Sequence, residues 1–87
     1  IYLMAVVFSA TNEVIDPILV NVVRSNQNKV AGWLQGESGS WGFLAGQAVI
    51  NVREAAGRDL ESSERRLIWS RMWWWLEQNK TGIHTAS

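Results

Sequence analysis

The sequence contains no cysteine. Neither a disulfide framework nor a thiolate metal site can be built from it. Its one histidine, His84, lies close to the end of the sequence. A lone imidazole cannot make a histidine metal cluster, and His84 has no rigid partner nearby for acid–base work. No metal or cofactor is expected. Charge of one sign is also missing, since 8 Lys plus Arg balance 8 Asp plus Glu. That balance argues against a basic nucleic-acid cloak and against an acidic disordered tail. No run reaches the ~20 apolar residues that a membrane-spanning helix needs. The most apolar stretch, residues 1–10, is broken only by Ser9. It lacks the basic flank of a secretory leader, and a cytoplasmic protein is the expectation. Proline occurs once, as Pro17. No internal repeat or low-complexity tract interrupts the chain.

What is present is apolar and aromatic. Hydrophobic residues make up 47% of 87 positions, and 6 of them are tryptophan. A chain of this length forms one domain, and it buries only roughly 60–65% of its unfolded surface. Each buried aromatic removes about 150–250 Å² from water. A core this small has trouble enclosing six indoles, so some should lie on the surface or at a contact. The expected organisation is a single helical domain over 1–80 and a frayed tail over 81–87.

Glycines 36, 39 and 57 divide the chain into three helical segments. The first is expected at about 16–35. Asp16 suits a cap and Pro17 the first helical position, although a start at Thr11 or Asn12 would also accommodate Pro17 near the first turns. Leu19, Val22, Val23, Val30, Trp33 and Leu34 recur at three- and four-residue spacing, which makes one apolar stripe. Asn26 interrupts it, either as a buried polar residue that fixes register or as an edge residue bonded to backbone or water. The second helix is expected at 41–56, capped by Ser38 or Ser40 and stopped by Gly57. Its face carries Trp41, Leu44, Ala45, Ala48, Val49, Val52, Ala55 and Ala56, mostly small residues that let helix axes approach closely. The third helix is expected at 62–79. Ile68, Trp69, Met72, Trp75 and Leu76 form its main stripe. Asp59, Glu61 and Glu64 stand near its positive end and Lys80 near its negative end. The short link over residues 57–60 places consecutive helices side by side or at an angle as a helical corner. The fold class is therefore all-α, a compact three-helix domain with an apolar N-terminal arm or short fourth helix.

A second set of apolar residues lies off these core stripes. Leu67 and Trp74 are seven apart on the back of the third helix, with Arg71 and Gln78 beside them and Trp73 at the border of the core face. Phe43 and Ile50 are seven apart on the second helix and point away from its core face. Helices apolar on two sides are covered on two sides. The first segment could wrap over Phe43 and Ile50. For Leu67 and Trp74 a partner chain is the better cover, because large apolar patches mark contacts and Trp and Arg are enriched at contact hot spots.

Other chemistry is weaker. Trp73, Trp74 and Trp75 could suggest an aromatic cage, but consecutive helical residues point about 100° apart and cannot form one box. Arg53, Arg58, Arg65, Arg66 and Arg71, on a helix–turn–helix outline over 41–79, could suggest DNA binding. The interleaved Glu54, Asp59, Glu61 and Glu64 fit a solvated face with pairs such as Glu61–Arg65 better. Glu13 and Asp16 read as helix-start charges rather than an acid–base pair. Residues 36–40 lack the lysine of a phosphate loop. The expected function is a small non-enzymatic protein acting by protein–protein contact, self-association included. The contact residues are Leu67, Arg71, Trp73 and Trp74, with Phe43 and Ile50 as a second patch. A helical module with a Trp-lined pocket for an apolar small molecule or lipid is the alternative, and nucleic-acid binding is a distant third.

Overall fold

A computed structural model describes residue 8 and residues 10–86, with side chains described through residue 80. Among those residues the chain is all-helical, with α1 (Asn12–Ser25), α2 (Gln27–Leu34), α3 (Ser40–Ala56) and α4 (Ser62–Ala86). Three main helices and a short fourth match the expected class. The short helix is α2, cut from the end of the first expected helix. Of the expected N-terminal arm, Phe8 and Ala10 pack against the core, and residues 1–7 and 9 lie outside the described residues.

The start of α1 falls at the earlier of the two expected positions. Thr11 is the N-cap residue, and its carbonyl accepts the Val14 and Ile15 N–H groups at 3.1 and 2.9 Å. Pro17 therefore lies inside the helix. It cannot donate to the Glu13 carbonyl, but both residues are exposed, which leaves that carbonyl to water. Asp16 does not cap. Its side chain is released for another role.

The single helix expected over 16–35 breaks at Asn26, whose φ of −131° and ψ of 46° are not helical. Its amide Nδ2 donates to the Val22 carbonyl at 2.9 Å. Gln27 Nε2 donates to the Val23 carbonyl at 2.6 Å. A side chain thus satisfies the Val22 carbonyl that the end of α1 leaves open, and a second adds a bond to the Val23 carbonyl, which the Asn26 N–H reaches at 3.4 Å. The Asn26 carbonyl accepts from Lys29 and Val30 at 2.9 and 3.0 Å, which starts α2. Asn26 is the backbone-bonded edge residue, not a buried specifier.

α2 ends in a Schellman motif. Gly36 takes φ of 77° and donates to the Trp33 carbonyl at 3.0 Å, while Glu37 donates to the Gly32 carbonyl at 2.8 Å. Only a residue without a side chain adopts that φ cheaply. The cap of α3 corrects the expectation at Ser38 or Ser40, because Gly39 occupies that position. Ser40 is instead the first helical residue and is buried, with its hydroxyl 3.4 Å from Glu37 Oε1.

At the α3–α4 corner, Gly57 closes α3 as expected, donating to the Arg53 carbonyl at 3.0 Å. α4 then opens on the returning half of a capping box, in which a side chain one turn into the helix reaches back to a free N–H. The Glu61 N–H donates to Glu64 Oε1 at 2.8 Å. Arg58 holds both Glu64 oxygens, at 2.9 and 2.8 Å. The expected Glu61–Arg65 pair is not formed. Arg65 donates to the Leu60 carbonyl at 2.6 Å instead. At its other end α4 runs through Ala86, past the expected end at 79 and through most of the stretch expected as a frayed tail. Gly82 does not stop it, since a helical glycine costs only about 1 kcal/mol.

The core is aliphatic. Ile15, Leu19 and Val22 come from α1, Val30 from α2, Leu44, Ala48 and Val52 from α3, and Ile68, Met72 and Leu76 from α4. Each main helix contributes a line at three- or four-residue spacing. Leu60, in the corner, joins them. α3 packs against all three other helices, and α1 also packs on α4. Ala55, expected on the buried face of α3, is exposed.

Two outcomes follow. Met72 is fully buried, so Met72→Ala should lower stability by about 2–5 kcal/mol through lost burial and an unfilled cavity. Urea unfolding followed by circular dichroism measures it, and a loss within error would contradict this core. The Glu64 carboxyl is pulled from 4.5 down to about 2, chiefly by Arg58 and then by the Glu61 N–H. A carboxyl depressed in the folded state stabilises it above its ordinary pKa and ceases to do so as pH falls through the lowered one. The stability gap between wild type and Glu64→Gln should therefore be full at neutral pH and narrow as pH falls from about 4.5 toward 2. A gap that stays constant over that interval would refute the link.

Candidate interaction surface

None of the six tryptophans is fully buried. Trp33, Trp41 and Trp75 are half-buried, and Trp69, Trp73 and Trp74 are exposed. The four on α4 fall into two groups, Trp69 with Trp73 and Trp74 with Trp75, because consecutive residues diverge around a helix. Trp73 points toward α2 and α3, with its ring 5.3 Å from Trp33 and 5.2 Å from Trp41, both edge to face. Trp74 and Trp75 turn the other way and pack edge to face at 5.0 Å.

The second group is anchored by Asp16. Its carboxylate accepts two bonds from Arg71, Nε at 3.0 Å and Nη2 at 2.6 Å. It also accepts Trp75 Nε1–H at 3.1 Å. The Arg71 guanidinium lies 4.6 Å over the Trp74 ring. A residue expected to cap α1 thus ties α1 to α4. The Arg71 hydrogen bonds hold the Asp16 carboxyl below its ordinary pKa, and Trp75 adds to this. The same bonds raise the pKa of Arg71. Arg71, expected as a contact residue, is thus committed to an intramolecular pair. Leu67 is half-buried and packs against the core. The back of α4 is therefore less apolar than its spacing predicts, although Trp74 remains 41% exposed.

Phe43 and Ile50 are both exposed on α3. Lys29 of α2 places its ammonium 5.0 Å from the Phe43 ring centre. Contact from the first segment thus reaches Phe43, as a single cation–π approach.

A further apolar surface lies elsewhere. α3 and α4 run antiparallel and leave an open groove of about 540 Å³ between them. Gly42, Ala45, Gly46 and Val49 line it on the α3 side, with Trp41 near one end and Ile50 near the other. Arg65 and Trp69 line the α4 side. A side chain added at Gly42 or Gly46 would meet nothing within 4 Å. Each glycine costs its helix about 1 kcal/mol relative to alanine, and among the described residues no packing requires either. Trp69, expected in the main core stripe, is 41% exposed on this groove. The line Arg65–Trp69–Trp73 runs at four-residue spacing beside the core line Ile68–Met72–Leu76. Trp73 continues the apolar surface at 45% exposure. The signal for Trp69 was legible in α3. A face with glycine at 42 and 46 has too little side chain to cover an indole opposite.

The structure thus brings Trp73 and Ile50 onto the face that holds the groove. Arg71 and Trp74 lie around the Asp16 anchor, and Leu67 lies against the core. No group of three metal-ligating side chains occurs among the described residues. No described helix is long and apolar enough to cross a membrane. Comparison with protein-family models, with curated proteins and with solved structures finds no match.

Loss of the anchor should be measurable. Asp16→Ala removes two charge-assisted bonds and the indole's acceptor on a partly exposed seam, a loss of about 1–3 kcal/mol. Because the folded state lowers this carboxyl's pKa, its contribution is present at neutral pH and fades as acid protonates it. Chemical unfolding of Asp16→Ala beside wild type checks this, and equal stability at pH 7 would show that the seam carries no load.

Proposed function

We propose that this protein is a non-enzymatic helical module that works through protein–protein contact, with self-association as part of that role. The observation that carries the reading is the continuous apolar face made by Trp69, Trp73, Trp41 and Ile50. Monomeric proteins rarely leave so much aromatic surface uncovered, and contiguous patches of this kind mark contacts. Trp at the centre of a patch is also the residue most enriched in contact hot spots. The face keeps Trp73 and Ile50 of the contact residues expected from helical spacing and adds Trp69 and Trp41, while Leu67 packs against the core and Arg71 and Trp74 lie at a separate site. A cytoplasmic location belongs to the same proposal.

A small apolar molecule is the second reading, favoured by the groove itself. Its volume falls within the usual range for ligand sites and its lining is mostly apolar. Nucleic-acid binding gains little support. Arg58 and Arg71 are held by Glu64 and Asp16, and Arg65 by the Leu60 carbonyl.

Sedimentation equilibrium tests the leading reading. Wild type should associate at micromolar concentration. The double variant Trp69→Ser/Trp73→Ser should keep its helical circular dichroism and associate at least tenfold more weakly. A wild type that stays monomeric, or a variant that associates as well as wild type, would rule it out. An apolar molecule retained by a monomer in native mass spectrometry would favour the second reading.

A further inference from the structure

We infer that the seam between the last turns of α1 and residues 75–79 of α4 is a binding site for a small organic acid, one carboxylate on an apolar body. It is separate from the α3–α4 groove and does not depend on the contact reading. A cleft of about 300 Å³ opens on this seam, at the small end of the range for ligand sites. Its floor is apolar, made by Val20 and Val23 of α1 and Trp75 of α4. The Trp75 ring is fixed before anything binds. Its Nε1–H is held by Asp16, and the ring packs edge to face with Trp74. A wall already in place loses little freedom on binding.

The rim supplies the polar groups. Among the described lining residues Arg24 is the charged one, with Gln78 and Asn79 across the seam on α4. None of these three side chains has a hydrogen bond or an ion pair among the described residues. The groups that could engage Arg24 are already engaged. The Val22 and Val23 carbonyls at the end of α1 accept the Asn26 and Gln27 amides. Asp16, about two turns back on the same face, is held by Arg71 and Trp75. Glu77 does not line the cleft and has an interaction of its own. Lys80, exposed just past Asn79, has the same sign as Arg24. The planar fork of one guanidinium matches a carboxylate, and the carboxamides can donate to whichever oxygen lone pairs it leaves open. α1 ends at Ser25, and the partial negative charge of a helix C-terminus favours a monoanion over a dianion there.

The probe is 3-phenylpropionate, with 3-phenylpropanamide as its neutral match. In a titration followed by NMR, the acid should move the Trp75 indole N–H and the Val23 and Arg24 amides in one saturable transition at low-millimolar concentration. The amide should bind at least tenfold more weakly. Arg24→Gln should bring the acid down to the amide's level and leave the amide unchanged. Arg24 is exposed, so this variant keeps its helical circular dichroism. Val20→Ser, on the floor, should weaken acid and amide alike. Absence of a saturable shift at Trp75, Val23 and Arg24 would overturn the inference, as would Arg24→Gln binding the acid as well as wild type does. Tighter binding of phenyl phosphate than of the acid would refute the choice of a monoanion. A shift confined to Trp69 and Ile50 would place the acid in the α3–α4 groove and overturn the site.

Discussion

The interior of this domain is too narrow for an indole, and much of the structure follows from that limit. α3 is contacted by three helices at once, so the space around it is filled by side chains no larger than leucine, isoleucine or methionine. Leu44, Ala48 and Val52 face Ile68, Met72 and Leu76 across the main seam. All six tryptophans are displaced to the rim of the bundle. There they act as edges between helices. Trp33, Trp41 and Trp73 meet where α2, α3 and α4 converge, and Trp75 lies where α1 meets α4. Edge-to-face packing suits this role, because it joins elements through ring contact without requiring full burial.

A rim built from indoles still needs polar partners for its N–H groups, and Asp16 supplies one. Its position depends on two local features of the sequence. Helix α1 begins far enough upstream that Asp16 is no longer at the cap, and Pro17 is tolerated because the carbonyl it leaves unpaired is at an exposed position. Asp16 then lies on the flank of α1 that faces Arg71 and Trp75. One carboxylate thereby orders a guanidinium and an indole, and the guanidinium in turn covers the ring of Trp74. The exposed face of Trp74 therefore belongs to a stack already engaged within the chain. Among the described residues, Trp69 on the groove has no ring or cation–π contact of this kind.

The parts of this architecture that were readable from the sequence are those governed by short-range repetition. The line 44–48–52 ending at Gly57, and the line 68–72–76 after an acidic start, express both helical period and helix boundary in neighbouring residues. What escaped was whatever depends on a distant residue. Asn26 looks like an interruption of a stripe, and its ability to satisfy the Val22 carbonyl appears only once the helix has ended there. Asp16 resembles a cap until its partner 55 positions away is in place. Trp69 is apolar and adjacent to the core line, so spacing assigns it inward. Its exposure is decided by α3, where Gly42 and Gly46 offer nothing to cover it. Periodicity identifies the apolar side of a helix, but the size of the opposing residues decides how much of that side is enclosed.

That distinction also bears on what the groove can hold. A small apolar molecule would occupy the space between Trp69, Ile50 and the glycine face, yet it would leave Trp73 largely in water, because Trp73 flanks the groove rather than lining it. A helix laid along α3 would cover the groove and Trp73 together. The floor favours the second occupant as well. Ligand pockets gain affinity from enclosure and from a few convergent polar groups, whereas this surface is open and its floor is mostly backbone-level glycine and alanine. Two interior glycines weaken α3 as an isolated helix. In the contact reading proposed above, a partner that approaches closely where side chains are missing would offset that cost.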